Sequence, residues 1–192
     1  MRARQYCCII AESITKPLSF SRLTNIVKSS GTSLGKQTVI NYVGYMIDSY
    51  LIFAVQNYAG KLVNKETSPK YYFMDTGLLG LMLLDCKSAQ LENLVAIELV
   101  RQYGVENVYY FENNVEIDFY IPSQKLAIQV SIQVLDNMDT RERETRAFIK
   151  LNHFIPGSRY ILITNSEEAI LDCNGFKVEV VPAWKWLLNN QH

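Results

Sequence analysis

From Leu126 to Val134 the chain alternates without a break. Leu126, Ile128, Val130, Ile132 and Val134 fall on one side, and Ala127, Gln129, Ser131 and Gln133 on the other. A period of two is that of a β-strand, so this segment belongs in a sheet with one face against a core. Upstream the period changes: Ser88 to Tyr103 carries Leu91, Leu94, Val95 and Leu99 at helical spacing. Val108 to Phe111 and Val115 to Ile121 read as strands parted by the turn Glu112-Asn113-Asn114. In the second of these, Glu116, Asp118 and Tyr120 are expected on one face and Ile117, Phe119 and Ile121 on the other. A charged helix is expected from Asp139 or Thr140 to about Asn152, with Arg141 to Glu144 as its solvated face, and then a buried strand from Tyr160 to Thr164. Asn174-Gly175 is a hairpin turn that leads into a strand from Phe176 to Val181. A short helix from Pro182 to Leu188 follows, its Trp184 and Trp186 expected as a lid on the core. Helices and strands in this order predict an α/β (α+β) chain with a mixed central sheet.

The first third carries a different pattern. A helical stretch from Arg4 to Ile14 ends at Lys16-Pro17, because proline drives the preceding residue out of the helical region. Ser19 and Ser21 are placed to cap a short helix whose Leu23, Ile26 and Val27 share a face. Ser29-Ser30-Gly31 breaks it, and a longer helix runs from about Gly35 or Lys36 to Tyr50. Two helices, a glycine-containing turn and polar residues at the start of the second helix make the helix-turn-helix layout. Strands at Leu51 to Tyr58 and Lys70 to Met74, joined by a polar link from Gly60 to Pro69, complete a wing. The expected domains are therefore a winged helix-turn-helix at 1–75 and a second α/β domain at 76–192.

Charge divides along the same line. Residues 1–64 carry seven Lys/Arg against two acids, and residues 65–192 carry twelve against seventeen, so a net charge of zero hides a basic third and an acidic remainder. The basic part is the candidate for phosphate contact, through Arg22, Lys36, Gln37, Thr38 and Asn41; double-stranded DNA is the expected partner, with protein contact as the other use of such a unit. Gly31 to Thr38 imitates a phosphate loop but has three residues between its glycines, where four are needed, and Gln37 after its lysine. No nucleotide or other cofactor site is expected. Cys7 and Cys8 are adjacent, Cys86 and Cys173 are isolated, and His153 and His192 are the two histidines, so no zinc-ligand spacing arises and reduced thiols are expected. No apolar run approaches the roughly 18 residues of a membrane span, and a soluble, cytoplasmic protein without membrane contact is expected.

Several segments together resemble one family. Pro17-Leu18-Ser19-Phe20, Ser68-Pro69-Lys70-Tyr71-Tyr72-Phe73-Met74-Asp75-Thr76-Gly77-Leu78, Leu91-Glu92-Asn93-Leu94-Val95-Ala96 and Val115-Glu116-Ile117-Asp118-Phe119 are similar to the domain of unknown function found at the C-terminus of many prokaryotic AAA-type ATPases. The resemblance runs over essentially the whole chain. It implies an upstream ATPase module, outside these residues, that would hold ATP and magnesium. It also implies a winged helix and then a restriction-endonuclease-like domain of the PD-(D/E)xK nuclease superfamily. In that superfamily a helix glutamate, a strand aspartate and a Glu-x-Lys on the next strand gather around a divalent metal. Glu92 and Asp118 match the first two positions, while Gln129-Val130-Ser131 stands where Glu-x-Lys is expected.

That departure governs the functional expectation. A hard cation needs anionic oxygens, and Gln129 offers a neutral carbonyl; Ser131 cannot steady developing charge as a lysine does. No catalytic residue and no metal are therefore expected in a degenerate centre of Glu92, Asp118, Gln129 and Ser131. The expected function is a non-catalytic recognition or regulatory module of an AAA-type ATPase, contacting DNA, protein or both. Two alternatives stay open: a metal-dependent nuclease with rearranged ligands, Glu116 substituting as one of them, and a free-standing winged-helix regulator.

Overall fold

A computed structural model describes residues 8–29, 31, 34–62, 68–83 and 86–189. The expectations for Arg2, Arg4, Cys7, Ser30, Thr32, Ser33, His192 and most of the link before Pro69 lie outside the described residues. In chain order the elements are α1 (residues 8–12), α2 (Phe20–Ser29), α3 (Lys36–Asp48), β1 (Ile52–Asn57), α4 (Tyr58–Leu62), β2 (Lys70–Phe73), α5 (Gly77–Met82) and α6 (Lys87–Tyr103). They continue with β3 (Tyr109–Glu112), β4 (Glu116–Ile121), β5 (Leu126–Val130), α7 (Met138–Phe154), β6 (Arg159–Thr164), β7 (Ala169–Cys173), β8 (Phe176–Pro182) and α8 (Ala183–Asn189).

The strands form one mixed eight-stranded sheet in the order β2-β1-β3-β4-β5-β6-β8-β7. Pairing is antiparallel except for β1–β3, β5–β6 and β6–β8. The antiparallel hairpin β1–β2 is not a separate sheet: Gln56 and Asn57 pair in parallel with Tyr109 and Tyr110, so the N-terminal third and the remainder share a backbone ladder. Asn57 reinforces the junction, its side-chain amide donating to the Glu112 carbonyl and accepting from the Glu112 N–H.

Local chemistry accounts for the element ends. Ser19 caps α2, its hydroxyl accepting from the Arg22 N–H. At the far end of α3, Tyr50 adopts a left-handed φ of 55° while Tyr50 N–H donates to Ile47 and Leu51 N–H to Met46. This paired closure turns the chain straight into β1. Asn137 caps α7 by accepting from the Thr140 N–H, so the helix begins at Met138. Asn174 and Gly175 both take positive φ, 51° and 91°, as a two-residue hairpin between right-twisted strands requires.

Alternation along the strands sorts the core onto two faces. Leu126, Ile128, Val130, Ile161 and Ile163 join a cluster with Leu91, Val95, Ala96 and Leu99 of α6 and Trp186 of α8. Ala127, Tyr160 and Leu162 face the other way, against Ala147, Phe148 and Leu151 of α7. The first cluster extends without interruption to Leu23, Val39 and Val43 of α2 and α3.

Three expectations are corrected. Trp184 and Trp186 do not act together: Trp186 is buried and Trp184 is 59 % exposed, because residues two apart on a helix point to different sides. Glu144 is not on a solvated face. It stands at helical spacing with Ala147, Phe148 and Leu151 and is buried with them. The expected strand at 126–134 ends as a regular strand at Val130, although the Ser131 N–H still donates to the Ile163 carbonyl and the Ile132 carbonyl accepts from the Asn165 N–H.

Candidate functional site

The site is assembled at the parted ends of β4 and β5. Their ladder runs as far as Phe119–Ile128 and there the backbones separate. Side chains bridge the gap: the Asp118 N–H donates to Gln129 Oε1 at 2.8 Å, and the Val130 N–H donates to Asp118 Oδ2 at 2.9 Å. Gln129 Nε2 also donates to the Glu116 carbonyl at 3.1 Å. The Gln129 amide is therefore occupied on both its atoms by strand backbone. Ser131, beyond the end of β5, donates from its hydroxyl to the Gln133 carbonyl.

A bulge aims the acids. Tyr109 pairs with Tyr120 and Phe111 with Ile117, so β4 spends three residues where β3 spends two. The extra residue breaks the expected alternation. Tyr120 joins Ile117 in the cluster under α7, whereas Phe119 and Ile121 pack toward α6. The shared face expected for Glu116, Asp118 and Tyr120 is thus not formed: the two acids look toward α6 and β2 without the tyrosine.

What they meet there is Lys70, the first residue of β2. Its ammonium is fully buried, 2.8 Å from Glu116 Oε1, 3.6 Å from Asp118 Oδ1 and 3.8 Å from Glu92 Oε1. It also lies 5.3 Å from the ring centroid of Tyr110, and it makes no hydrogen bond of normal geometry. Burial by itself disfavours the charge, but Asp118, Glu92 and Glu116 outweigh it and hold the ammonium proton well above the ordinary lysine range. Glu92 is pushed the other way for a carboxyl. Burial and then the Asp118 charge raise its pKa well above the ordinary value, against Lys70 and the Tyr72 hydroxyl that donates to it at 2.7 Å. Burial likewise raises Asp118, with Lys70 and the Val130 N–H opposing.

The neighbouring Asn93 explains how α6 is held in place to deliver Glu92. β2 is the edge of the sheet, and the outward amide of Phe73 has no strand beside it. Asn93 replaces one: the Phe73 N–H donates to Asn93 Oδ1 at 2.8 Å, and Asn93 Nδ2 donates to the Phe73 carbonyl at 3.0 Å. The two segments Lys70–Phe73 and Leu91–Asn93 are thereby locked together side chain to backbone.

Above the cluster lies a cleft of about 620 Å³, floored by Glu92, Glu116, Asp118 and Gln129. Lys16, Arg143, Arg146 and Lys150 stand in its walls. Arg143 pairs with the buried Glu144 at 2.6 Å, while Lys16 and Lys150 have no ion pair among the described residues. The sequence-derived residues therefore divide. Glu92, Asp118 and Gln129 come together in the cleft, and Ser131 is not part of its lining. Arg22, Lys36, Gln37 and Asn41 lie exposed on α2 and α3, with Thr38 half-buried and Gln37 donating to Asn41 at 3.1 Å. Among the described residues no group of three or more His, Cys, Asp or Glu is placed to hold a metal, and no helix is long and apolar enough to cross a membrane. Lys70 is the site residue that reading the sequence missed. Its signal was a lysine opening the otherwise apolar strand Lys70-Tyr71-Tyr72-Phe73.

Residues 1–90 match a family model described as Domain of unknown function (DUF8612). That match takes in Lys70 and stops short of Glu92. Over 190 residues the chain is 30% identical to the uncharacterized protein MJ1544 of Methanocaldococcus jannaschii, an alignment that takes in 94% of this chain and 43% of the archaeal protein. The chain thus spans less than half the length of that relative. No solved structure matches.

Proposed function

We propose that the chain is a recognition and regulatory module of an AAA-type ATPase, a winged helix at 1–75 carried on a nuclease-like domain at 76–192 whose centre does no catalysis. The observation that carries this reading is the engagement of Gln129. It stands where a metal-binding acid is required, and both its amide atoms are spent holding β4 and β5 together. A neutral amide tied to backbone can neither charge a metal site nor activate water. The exposed Arg22, Lys36, Gln37 and Asn41 supply a basic, polar face suited to phosphates and base edges, so double-stranded DNA is the favoured target. The archaeal relative extends far beyond the aligned part, as a protein with a further module does; ATP and magnesium belong to that module in this reading.

A second reading rests on Glu116 and Lys70. Together with Glu92 and Asp118 they supply an acid and a lysine from new positions, as a nuclease with rearranged ligands requires. One pair of assays separates the two. Labelled duplex DNA titrated by fluorescence anisotropy is expected to bind, with affinity falling steeply as salt rises and the salt slope shrinking by about one for Lys36→Ala. The same DNA incubated with magnesium or manganese is expected to stay intact. Cleavage that Asp118→Ala abolishes would establish the nuclease, and no binding at low salt would remove DNA as the target.

A further inference from the structure

The buried side of α3 is built from Val39, Val43 and Met46, which join the cluster shared with α2 and the sheet. Its other side is turned to solvent. Gln37, Asn41 and Gly44 follow one another there at spacings of four and three, with the exposed Tyr45 beside them. Glycine is the poorest helix former after proline, and Gly44 stands inside a helix of 13 residues with ordinary helical backbone. A Cβ added there would meet no atom of the described residues within 4 Å. Neither packing nor backbone geometry among those residues calls for the missing side chain. A close approach from outside does.

The two amides on the same side carry a second signal. Gln37 Nε2 donates to Asn41 Oδ1 at 3.1 Å. That bond fixes which end of the Asn41 amide is oxygen and which is nitrogen. It leaves Asn41 a second lone pair on Oδ1 and the hydrogens of Nδ2, the complement of the adenine edge in the major groove, which offers the N6 amino group and the N7 acceptor. Charge selects nucleic acid as the occupant: α2 and α3 carry exposed Arg22, Lys28 and Lys36 against one acid, Asp48, at the far end of α3. From Lys36 to Gly44 the helix rises about 12 Å, at about 1.5 Å per residue, and the major groove is about 12 Å wide. A helix entering by its N-terminal end therefore sets Gln37 and Asn41 over base edges and brings Gly44 to the strand that walls the groove. Resting on the reading of this unit as a duplex-DNA contact, we propose that Asn41, held by Gln37, reads an adenine in the major groove and that Gly44 clears the passing sugar-phosphate strand.

Selection from a randomised duplex library tests this, followed by anisotropy titration of the selected duplex with wild type and variants. The selected duplex is expected to hold an adenine whose exchange for another base weakens binding about tenfold or more. 7-Deazaadenine at that position, which lacks the N7 acceptor, is expected to weaken it as well. Asn41→Ala should lose the discrimination, and Gln37→Ala should reduce it, because the amide is then free to turn. Gly44→Ala should melt about 2–4 °C higher, since helix propensity improves in open space, yet bind the selected duplex more weakly. Gly44→Leu should weaken binding about tenfold or more, as a longer side chain blocks the approach. A glycine with only a structural role would not set stability against binding in this way. Duplexes bound with the usual loss of affinity in salt but with no preferred adenine overturn this inference and leave DNA as the target. So does an adenine preference that survives Asn41→Ala, or a Gly44→Leu variant that binds as tightly as wild type. Duplex DNA left unbound at low salt removes the DNA reading and this inference with it.

Discussion

Replacing Asn93 with alanine removes the side chain that, among the described residues, pairs with the outward edge of β2 at Phe73. In an antiparallel ladder alternate residues turn their amides away from the partner strand, and Phe73 is such a residue, since Met74 and not Phe73 donates to Leu51. Asn93 is fully buried and satisfies both the N–H and the carbonyl of Phe73, with a third contact from Nδ2 to Thr76 Oγ1 at 3.2 Å. Alanine leaves two buried backbone groups without partners. Each costs about 1–3 kcal/mol, so Asn93→Ala is expected to lose about 4 kcal/mol, a large share of the roughly 5–15 kcal/mol that holds a domain together. Asn93→Asp keeps the acceptor for the N–H but sets a carboxylate against the Phe73 carbonyl and near Glu92, so it is expected to do no better. Urea unfolding followed by circular dichroism and tryptophan fluorescence reads the effect as a drop in midpoint at constant slope. A loss below about 1 kcal/mol with the slope unchanged would show that water replaces the amide at this edge and refute the reasoning.

Two further outcomes follow from the same geometry. The raised pKa values of Glu92 and Asp118 mean that the fold favours their protonated forms, so the stability they contribute is present in acid and lost as pH rises through the folded pKa. Wild type measured against Glu92→Gln should therefore lose ground as pH rises above the ordinary carboxylate range, and the opposite slope would refute the assignment. Lys70, raised as well, keeps its contribution through neutral pH and loses it only above the ordinary lysine range. At the other edge of the sheet, Gly175 sits at φ 91° with open space where a side chain would go, so Gly175→Ala is expected to cost about 1–2 kcal/mol from backbone strain alone; a neutral melt would show the turn free to change type.

The sequence by itself determined the elements whose signals are local. The period-two run placed β5, helical spacing placed α6 within a residue of its start, and Asn174-Gly175 placed a hairpin, because backbone sterics and the burial of one face act over a few neighbouring residues. Glu92 and Asp118 were named on other grounds, through the family resemblance that the segments around them carry. Tertiary structure alone decided the rest. The parallel pairing of Gln56 with Tyr109 joins residues more than fifty apart, and no local pattern encodes such a partner. The bulge that turns Tyr120 away from Asp118 exists only in the register between β3 and β4. Lys70 could be seen as a lysine in an apolar strand, but its charge acquires a meaning only where α6 and β4 bring three carboxylates to it, since Coulomb attraction follows distance through space and is blind to separation along the chain.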